Sequence, residues 1–492
     1  MPRLKELLTG LKIIEVNGDT EREISGVYYD SRQVSSDGLF VAIAGYSTDG
    51  HKFIPQAIKA GAAAVLVERE VEVPPGIIVV RVPDTRTALP LVASNFYGAP
   101  SRQLRMVGVT GTNGKTTTSH LITAILYEAG YLTGILGTLY ARWNGREEVL
   151  AHTTPESVDL ERFCRQVWDE GGKYVVMEVS SHALELARVD GIEFDVALFT
   201  NLTQDHLDYH KNLDNYLRAK LKLFAMLGDA SDKLAVINAD DPYCSDFAAA
   251  ARCRVVSYGV ERDAAVRARD IKVSAEGSEF TVVGAGQEFD IKLNLAGLFN
   301  VYNALGAIAL TLYEGISPEV IQKGLAKVSG VPGRFESVSC GQNFAVIVDY
   351  AHTPDGLENI LKTARQLRPD RIITVFGCGG DRDRSKRPLM GEIVARYSDF
   401  CLVTSDNPRN EEPQAIIEDI LPGVQKVPDS RYQVIPDRRE AIRQAVGLAR
   451  PNDMVIIAGK GHEDYQIVKG KVLPFDDREV AREFLRGRSG NE

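Results

Sequence analysis

The sequence lacks an excess of positive charge, closely spaced cysteines and long apolar runs. Its 57 Lys and Arg residues face 67 Asp and Glu residues, which argues against a general nucleic-acid binder because phosphate contacts need a basic face. The six cysteines form no CxxC pair, so we expect neither a disulfide framework nor a thiolate zinc site. The N-terminus lacks the apolar core of a signal peptide, and no apolar stretch could span a bilayer. We therefore expect a cytoplasmic protein without stable membrane insertion.

The chain of 492 residues is too long for one ordinary core, so several domains are expected. Apolar strand patterns alternate with helical patterns along its whole length, which favours an α/β protein. Turn-rich segments at 97–101 and near 332–333 suggest three domains, 1–101, 102–333 and 334–492. In the last one, predicted strands at 372–376, 401–404 and 454–457 lead into polar loops, where open α/β sheets bind ligands.

The most informative segment is residues 108–117, GVTGTNGKTT. It lies between a predicted strand, 106–109, and a helix with apolar residues at 121, 122, 125, 126 and 129. At such a junction, backbone N–H groups and the helix N-terminus hold phosphate. Lys115 would reach the β- and γ-phosphates of ATP, and the Thr116 hydroxyl would ligate Mg²⁺. The strict P-loop pattern is not met, since its first glycine position is Val109, and a Gly/Thr-rich turn without function is the competing interpretation.

This segment resembles the ATP loop, TGTNGKT/S, of the Mur ligase and folylpolyglutamate synthetase superfamily. The resemblance covers residues 25–463 with the motifs in matching order. It implies a central P-loop ATPase domain with a mostly parallel sheet, a C-terminal Rossmann-like domain and a first domain that binds a UDP-linked substrate. It also implies that ATP phosphorylates a carboxylate and that an amine then displaces the phosphate. The ATP loop would comprise Gly111, Thr112, Asn113, Gly114, Lys115, Thr116 and Thr117.

Two side chains near predicted strand ends suit a divalent cation. Glu178 lies near the end of the predicted strand 174–179, and His206 follows the strand predicted at 196–199. These ends would bring a carboxylate and a neutral imidazole together over the phosphate loop. A surface position for Glu178 is the alternative.

A helical segment at 216–224, YLRAKLKLF, carries a third candidate. From physics alone, Lys220 is a solvated or salt-bridged lysine, and spacing does not choose between it and Lys222. The segment resembles the YxxAKxxLF pattern of Mur ligases, whose lysine is carbamylated and helps to hold magnesium. The resemblance therefore implies catalytic roles for Lys115, Glu178, His206 and Lys220, and a magnesium site of Thr116, Glu178, His206 and the Lys220 carbamate.

The adenosine side of the site is predicted from three further segments. Asn300 and Asn303 share one helical face and could hydrogen-bond adenine, although helix capping by Asn300 is equally plausible. By resemblance, Arg334 would meet the phosphates and Asp349 the ribose. Since these last two flank the second predicted boundary, the third domain is expected to close onto the second when ATP binds.

The carboxylate substrate is predicted from the first domain and the strand ends of the second. Segments 29–32, 38–42 and 45–50 resemble the uridine-binding domain of the ligases that add diaminopimelate or lysine. Ser31 would contact the UDP part, although Asp30 and Ser31 alone could be an ordinary turn. The resemblance assigns the muramoyl-dipeptide to Thr153, Thr154, Ser180 and Arg188.

The amino-acid side is predicted from a loop, DNPR, at Asp406, Asn407, Pro408 and Arg409. In this subfamily DNPR accompanies meso-diaminopimelate, whose distal end carries both an amine and a carboxylate. Arg409 offers a bidentate fork for that carboxylate, which lysine lacks, and Asp406 could meet the ammonium. Arg382, Gly459 and Glu463 match further positions of the pocket. A proline turn with a solvated arginine is the alternative.

These resemblances imply an ATP- and Mg²⁺-dependent ligase that adds meso-diaminopimelate to a UDP-linked muramoyl dipeptide. We expect it to act as a monomer on small-molecule substrates. The alternatives are a lysine-adding ligase, a folylpolyglutamate synthetase-like ligase and a protein that uses ATP as a switch.

Overall fold

The computed structural model describes residues 1–45, 48–274 and 276–489. Its strands form three larger sheets and one hairpin. Each larger sheet is mostly parallel and is covered by helices, which confirms the predicted α/β class. The domain limits after residues 101 and 333 stay a prediction.

The first sheet occupies the N-terminal region and has five strands in the order β1-β5-β4-β3-β2. All neighbours pair in parallel except β1 and β5. The strands are β1 (Glu15–Asn17), β2 (Val27–Tyr28), β3 (Gly38–Val41), β4 (Ala62–Val67) and β5 (Ile78–Arg81), and the helices are α1 (Leu4–Leu7), α2 (Ile54–Lys59) and α3 (Thr85–Tyr97). Two 3-10 turns lie at Gly50–Phe53 and Pro100–Gln103.

The middle sheet has eleven strands in the order β16-β15-β14-β13-β12-β11-β6-β10-β7-β8-β9. Its strands are β6 (Arg105–Thr110), β7 (Thr133–Leu136), β8 (Ala141–Trp143), β9 (Arg146–Glu148), β10 (Tyr174–Glu178), β11 (Val196–Phe199), β12 (Leu234–Asn238), β13 (Arg254–Gly259), β14 (Val266–Ser274), β15 (Gly277–Gly284) and β16 (Gln287–Leu293). Its helices are α4 (Lys115–Glu128), α5 (Ser157–Asp169), α6 (Ser181–Glu185), α7 (Leu207–His210), α8 (Leu213–Ala225), α9 (Cys244–Ala250), α10 (Leu298–Tyr313) and α11 (Pro318–Ala326). Strands β7, β10, β6, β11, β12, β13 and β14 run parallel, and the hairpins at both edges are antiparallel.

Both faces of this sheet are buried, which explains the continuous apolar strands of the sequence. Alternate residues of β6 point to opposite sides. Val107 and Val109 join the core under α4 and α10, whereas Met106 joins the core under α5 and α8. Because β6 lies between β10 and β11, the chain leaves it at a point where the strand order reverses, and such switch points form ligand crevices.

The third sheet has six strands in the order β17-β18-β22-β19-β20-β21, parallel except for β17, and β23 and β24 form the separate hairpin. Its strands are β17 (Glu336–Ser337), β18 (Ala345–Asp349), β19 (Ile372–Phe376), β20 (Phe400–Val403), β21 (Tyr432–Val434) and β22 (Met454–Ala458), and the hairpin strands are β23 (Tyr465–Val468) and β24 (Lys471–Pro474). The helices are α12 (Pro354–Gln366), α13 (Lys386–Tyr397), α14 (Pro413–Gln425), α15 (Arg438–Leu448) and α16 (Asp477–Ser489). Helices cover both faces, as expected for a Rossmann-like domain.

Candidate active site

The phosphate loop joins the central strand β6 to helix α4. Gly111 and Gly114 have φ angles of 151° and 87°, which residues with a Cβ rarely adopt. Added Cβ atoms would collide with the side chains of Thr200 and Asn303. The loop is therefore a tight turn that needs both glycines, and it aims the N-terminus of α4 at the crevice between β10 and β11.

Two lysines converge on this loop. Lys115 Nζ donates to the carbonyl oxygens of Gly111 and Thr112, each at 2.9 Å. Lys220 Nζ, from α8, donates to the same Gly111 oxygen at 2.8 Å and lies 4.5 Å from the ring centre of Tyr216. Burial lowers the pKa of both ammonium groups, and for Lys220 the nearby Lys115 charge adds to the effect. Lys222 is half-exposed and pairs with Glu185, so Lys220 is the lysine of this helix that reaches the loop.

Glu178 and Arg334 meet at the hydroxyl of Thr116. The Thr116 hydroxyl donates to Glu178 Oε2 at 3.0 Å, and Arg334 Nη2 donates to Thr116 Oγ1 at 2.9 Å. The backbone N–H of Thr138 donates to Glu178 Oε1 at 2.8 Å. Glu178 is buried at the end of β10, so the alternative of a surface carboxylate is wrong.

His206 lies in a second cluster beside the loop, together with a carboxylate that the sequence did not single out. Its Nε2 is 3.3 Å from Asp205 Oδ2, and its ring centre is 4.8 Å from that of His182. Burial lowers the pKa of His206 to about 3, so its imidazole is neutral at pH 7. Asp205 also faces Lys386 at 3.7 Å and His352 at 3.9 Å. Although burial opposes it, His206, Lys386 and His352 hold the pKa of Asp205 below its usual range.

Of the predicted metal ligands, Thr116 and Glu178 lie in the first of these clusters and His206 lies in the second. Lys220 lies at the Gly111 carbonyl of the phosphate loop. Within residues 1–45, 48–274 and 276–489, no three His, Cys, Asp or Glu side chains are grouped as metal ligands. The predicted set also uses a threonine hydroxyl and a modified lysine, and it stays a prediction.

Asn300 and Asn303 lie on one buried face of α10, behind Gly114. Asn303 Nδ2 donates to Asn300 Oδ1 at 3.1 Å, and Asn300 Nδ2 donates to the Ala296 carbonyl oxygen at 2.9 Å. The N-cap of α10 is Gly297, so the capping role considered for Asn300 is wrong. This hydrogen-bonded pair lies on the side of the phosphate loop that is predicted to bind adenine.

Side chains of the third region close over the loop from the other side. Asp355, in the first turn of α12, accepts a hydrogen bond from Asn113 Nδ2 at 2.7 Å. The guanidinium of Arg334 lies 4.7 Å from the ring centre of Tyr350. Asp349 accepts the backbone N–H groups of Phe335 and Ala351, each at 2.6 Å, while burial raises its pKa. These contacts join the middle and third sheets around the phosphate loop.

The residues predicted for the dipeptide surround the carboxyl end of β10, at Glu178. Thr154 Oγ1 donates to the Glu178 carbonyl oxygen at 2.8 Å and accepts from the Ser180 N–H at 3.0 Å. Arg188 donates to the Thr154 carbonyl oxygen at 3.0 Å, and the Thr153 hydroxyl lies 3.1 Å from that of Thr138.

Ser31 lies in the first region, where its hydroxyl donates to Gln56 at 3.1 Å. Among the described residues, no hydrogen bond joins Ser31 to another predicted site residue. Of the segment 45–50, Tyr46 and Ser47 lie outside the described residues.

The DNPR loop follows β20 and packs against the loop that follows β22. Asn407 Nδ2 donates to Glu463 Oε2 at 2.8 Å. The fully buried Lys460 donates to Glu463 Oε2 at 3.0 Å and to Asn407 Oδ1 at 3.3 Å. Burial raises the pKa of Glu463. Lys460 was not predicted as a site residue, since a lysine in a glycine-rich loop has no distinctive spacing.

Arg409 and Arg382 add two further positive charges beside these loops. Arg409 Nη1 donates to the Gly380 carbonyl oxygen at 2.9 Å, and Arg382 Nη1 donates to that of Asp381 at 2.9 Å. Burial lowers the pKa of Arg409, and the neighbouring Arg382 charge adds to this. Arg409 is partly buried and hydrogen-bonded to Gly380, which argues against the alternative of a solvated arginine. Two adjacent guanidinium groups suit a carboxylate ligand.

Three family models match successive parts of the chain. "Mur ligase family, catalytic domain" matches residues 23–97, "Mur ligase middle domain" matches 109–311, and "Mur ligase, glutamate ligase domain" matches 333–461. The UDP-N-acetylmuramoyl-L-alanyl-D-glutamate--2,6-diaminopimelate ligase of Syntrophomonas wolfei is 56% identical over 99% of both chains. The chain belongs to the Mur ligase family.

Solved structures of similar proteins share the architecture. One UDP-N-acetylmuramoyl-L-alanyl-D-glutamate--2,6-diaminopimelate ligase is 32% identical, covers 99% of both chains and has a TM-score of 0.69. The Mycobacterium tuberculosis folylpolyglutamate synthase complexed with ADP and AMPPCP has a TM-score of 0.64, with 83% of this chain and 95% of that chain covered. Its identity is 18%, so this likeness shows the fold alone. In the described part of this Mur ligase, no helix is long and apolar enough to cross a membrane.

Proposed function

We propose that this Mur ligase uses ATP to join meso-2,6-diaminopimelate to UDP-N-acetylmuramoyl-L-alanyl-D-glutamate, giving the UDP-linked tripeptide, ADP and phosphate. One observation carries the proposal: the charged side chains of Arg409, Arg382 and Asp406 lie near one another. They belong to the region whose Arg334 and Asp355 contact the ATP loop. A relative 56% identical over nearly its full length is named for this reaction.

In the first step, a carboxylate oxygen of the D-glutamyl side chain attacks the γ-phosphorus of ATP, and the bond to the β-phosphate oxygen breaks. Lys115 and Arg334 offset the negative charge that the transferring group carries. Asn300 and Asn303 hold the adenine, and Asp349 meets the ribose. ADP leaves, and the acyl phosphate remains.

The side chains around Thr116 fit a magnesium ion. The Thr116 hydroxyl and Glu178 carboxylate supply oxygen donors 3.0 Å apart, and Mg²⁺ prefers oxygen ligands. His206 and the carbamate of Lys220 would complete the set. When bound, the ion neutralises charge on the phosphate oxygens. The lowered pKa of Lys220 supports its modification, because a neutral amine is the form that attacks CO₂.

In the second step, an amine of diaminopimelate attacks the acyl carbon, the carbon–oxygen bond to phosphate breaks, and the amine loses a proton. Arg409 and Arg382 would hold the distal carboxylate, and Asp406 and Glu463 the distal ammonium. Thr153, Thr154, Ser180 and Arg188 would hold the muramoyl dipeptide, and Ser31 the UDP part. Holding the two reactants in the right orientation lowers the activation barrier by about 7 kcal/mol, which is the lower end of the range for well-placed groups.

The test is phosphate release from ATP with UDP-N-acetylmuramoyl-L-alanyl-D-glutamate, comparing meso-diaminopimelate with L-lysine and identifying products by mass. We expect turnover and a tripeptide product with diaminopimelate only. A Lys115→Met variant should release phosphate about a thousandfold more slowly, which controls for contaminating ATPases.

Each other outcome points to an alternative. Turnover with lysine would keep the ligase chemistry and contradict the role of Arg409. ATP hydrolysis without an amide product would favour a nucleotide switch, and turnover only with a folate substrate would favour a folylpolyglutamate synthetase-like ligase.

A further inference from the structure

A fully buried ion pair lies directly behind the amino-acid pocket. Arg438 is the first residue of α15 and Asp477 the first residue of α16, and neither side chain is exposed. Arg438 Nε donates to Asp477 Oδ1 at 2.8 Å, and Nη2 donates to Oδ2 at 2.6 Å. This two-bond fork holds the guanidinium plane in one orientation.

The remaining hydrogen bonds of Arg438 go to the two loops that form the pocket. Nη2 donates to the carbonyl oxygen of Ala458 at 2.9 Å, and Nη1 reaches that of Ser405 at 3.4 Å. Ala458 directly precedes Gly459, and Ser405 directly precedes Asp406. One guanidinium therefore fixes the backbone at the carboxyl ends of β20 and β22, immediately before two predicted substrate contacts.

The two loops approach each other with little space between them. Gly459 has a φ of 118°, and a Cβ there would lie 2.5 Å from Asp406 Oδ2 and 4.0 Å from Arg438 Nη2. Asp406 Oδ2 itself is buried and has no hydrogen-bond partner in the described part of the chain. A small displacement of either loop would therefore change the position of the carboxylate that is free for a ligand.

The charges of Arg438 and Asp477 also bear on the binding of a ligand at Asp406. A buried ion pair contributes little stability beyond a well-packed apolar pair of the same volume. Asp477 offsets the Arg438 charge, so this cation does not compete with a ligand ammonium for the nearby Asp406.

We propose that Arg438, oriented by Asp477, is a positioning residue for the amino-acid substrate that sets the spacing of Asp406 and Gly459 without touching the ligand. The inference rests on the proposed function, because it assumes that these two residues bind the amino acid. The competing explanation is that the ion pair only docks α16 onto α15.

The chain offers a matched control for simple helix docking. Arg439 and Glu483, also on α15 and α16, form a surface ion pair with side chains 47% and 57% exposed. Their contact links the same two helices but reaches neither loop. Arg439→Met therefore removes a link between the helices and leaves the pocket unchanged.

The experiment compares full-length Asp477→Asn, Arg438→Lys and Arg439→Met with the parent. Steady-state kinetics give kcat and a separate KM for diaminopimelate, ATP and the UDP-dipeptide, and thermal unfolding reports folding. We expect KM for diaminopimelate to rise at least tenfold in Asp477→Asn. Without the Asp477 charge, Arg438 attracts the Asp406 carboxylate and competes with the ligand ammonium. Arg438→Lys should change it in the same direction, because an ammonium cannot hold both loops and Asp477 together. KM for ATP and the UDP-dipeptide should stay within twofold, as should all constants of Arg439→Met.

Loss of thermal stability with an unchanged KM for diaminopimelate would overturn the proposal in favour of helix docking. Equal changes in all three KM values would overturn it too, because they indicate a general disturbance. If Asp477→Asn does not fold, Arg438→Lys decides alone, and a parental KM for diaminopimelate in that variant refutes positioning. A parent that makes no amide product would refute the proposed function instead. If the parent uses lysine, the same comparison is made with lysine.

Discussion

Replacement of Glu161 by glutamine tests how a buried carboxyl affects stability where the first region meets the middle one. Glu161 lies on α5, which packs against α3, and its side chain is fully buried. Neither of its carboxylate oxygens has a hydrogen-bond partner among the described residues. Burial raises the pKa of Glu161 to about 8, although Ser94 and Arg102 lower it.

The size and sign of the effect follow from this pKa. A glutamate side chain in the unfolded chain has its ordinary pKa of 4.5, whereas the folded-state pKa of Glu161 is about 8. Below pH 4.5 both states are protonated. Between these values the unfolded chain releases the proton and the folded chain keeps it, so stability falls as pH rises. Each tenfold change in proton affinity corresponds to about 1.4 kcal/mol, so the full loss is about 5 kcal/mol, reached near pH 8. Glutamine stays neutral and avoids this loss.

The assay is urea unfolding of the parent and Glu161→Gln at pH 5.0, 7.0 and 8.5. We expect the variant to be more stable by an amount that increases with pH, because only the parent loses stability in this range. Glu23→Gln, at an exposed position, controls for the removal of one negative charge. A difference between parent and variant that stays constant from pH 5.0 to 8.5 would show that Glu161 does not have a raised pKa in the folded protein.

Three further predictions concern the candidate site. Lys115→Met should lower kcat for phosphate release by about a thousandfold, because no ammonium then offsets the charge of the phosphoryl group; an unchanged kcat would contradict this. Arg409→Met should raise KM for diaminopimelate about 10- to 100-fold, as expected for a lost charge-assisted hydrogen bond of about 1.5–3 kcal/mol, with KM for ATP as the internal control. Gly114→Ala should abolish ATP binding measured by calorimetry, because φ is 87° and the methyl group would collide with Asn303, whereas Gly145→Ala, in an open turn, should bind ATP normally despite its strained φ.

Features encoded by neighbouring residues were predictable from the sequence. The apolar run before the phosphate loop and the helical spacing after it identify β6 and α4. A strand or helix with a buried face repeats its apolar residues at a spacing that is visible in the sequence. The strand predicted at 196–199 matches β11. The strand predicted at 401–404 overlaps β20 and is shifted by one residue toward the C-terminus. The DNPR loop was placed after its strand for the same reason.

Contacts between distant segments were harder to predict. Asp205 and Lys386 are far apart in sequence and meet because the third region closes over the loop. Capping by Asn300 was a plausible local interpretation, and it was wrong because α10 begins after Gly297. The burial of Lys220 also depends on how α8 packs against the sheet, which its own spacing does not reveal.

The α/β class, the glycines of the phosphate turn and the chemical character of each loop could be read from the residues alone. Which loops lie together became visible only in the fold. Strand β22, late in the chain, inserts between β18 and β19, and this order brings the loop at Gly459 beside Asp406. It also buries Arg438 against Asp477 behind both loops. The physical reason is that strand order depends on crossover connections and on the packing of both sheet faces, whereas sequence periodicity reports only which side of each element is buried.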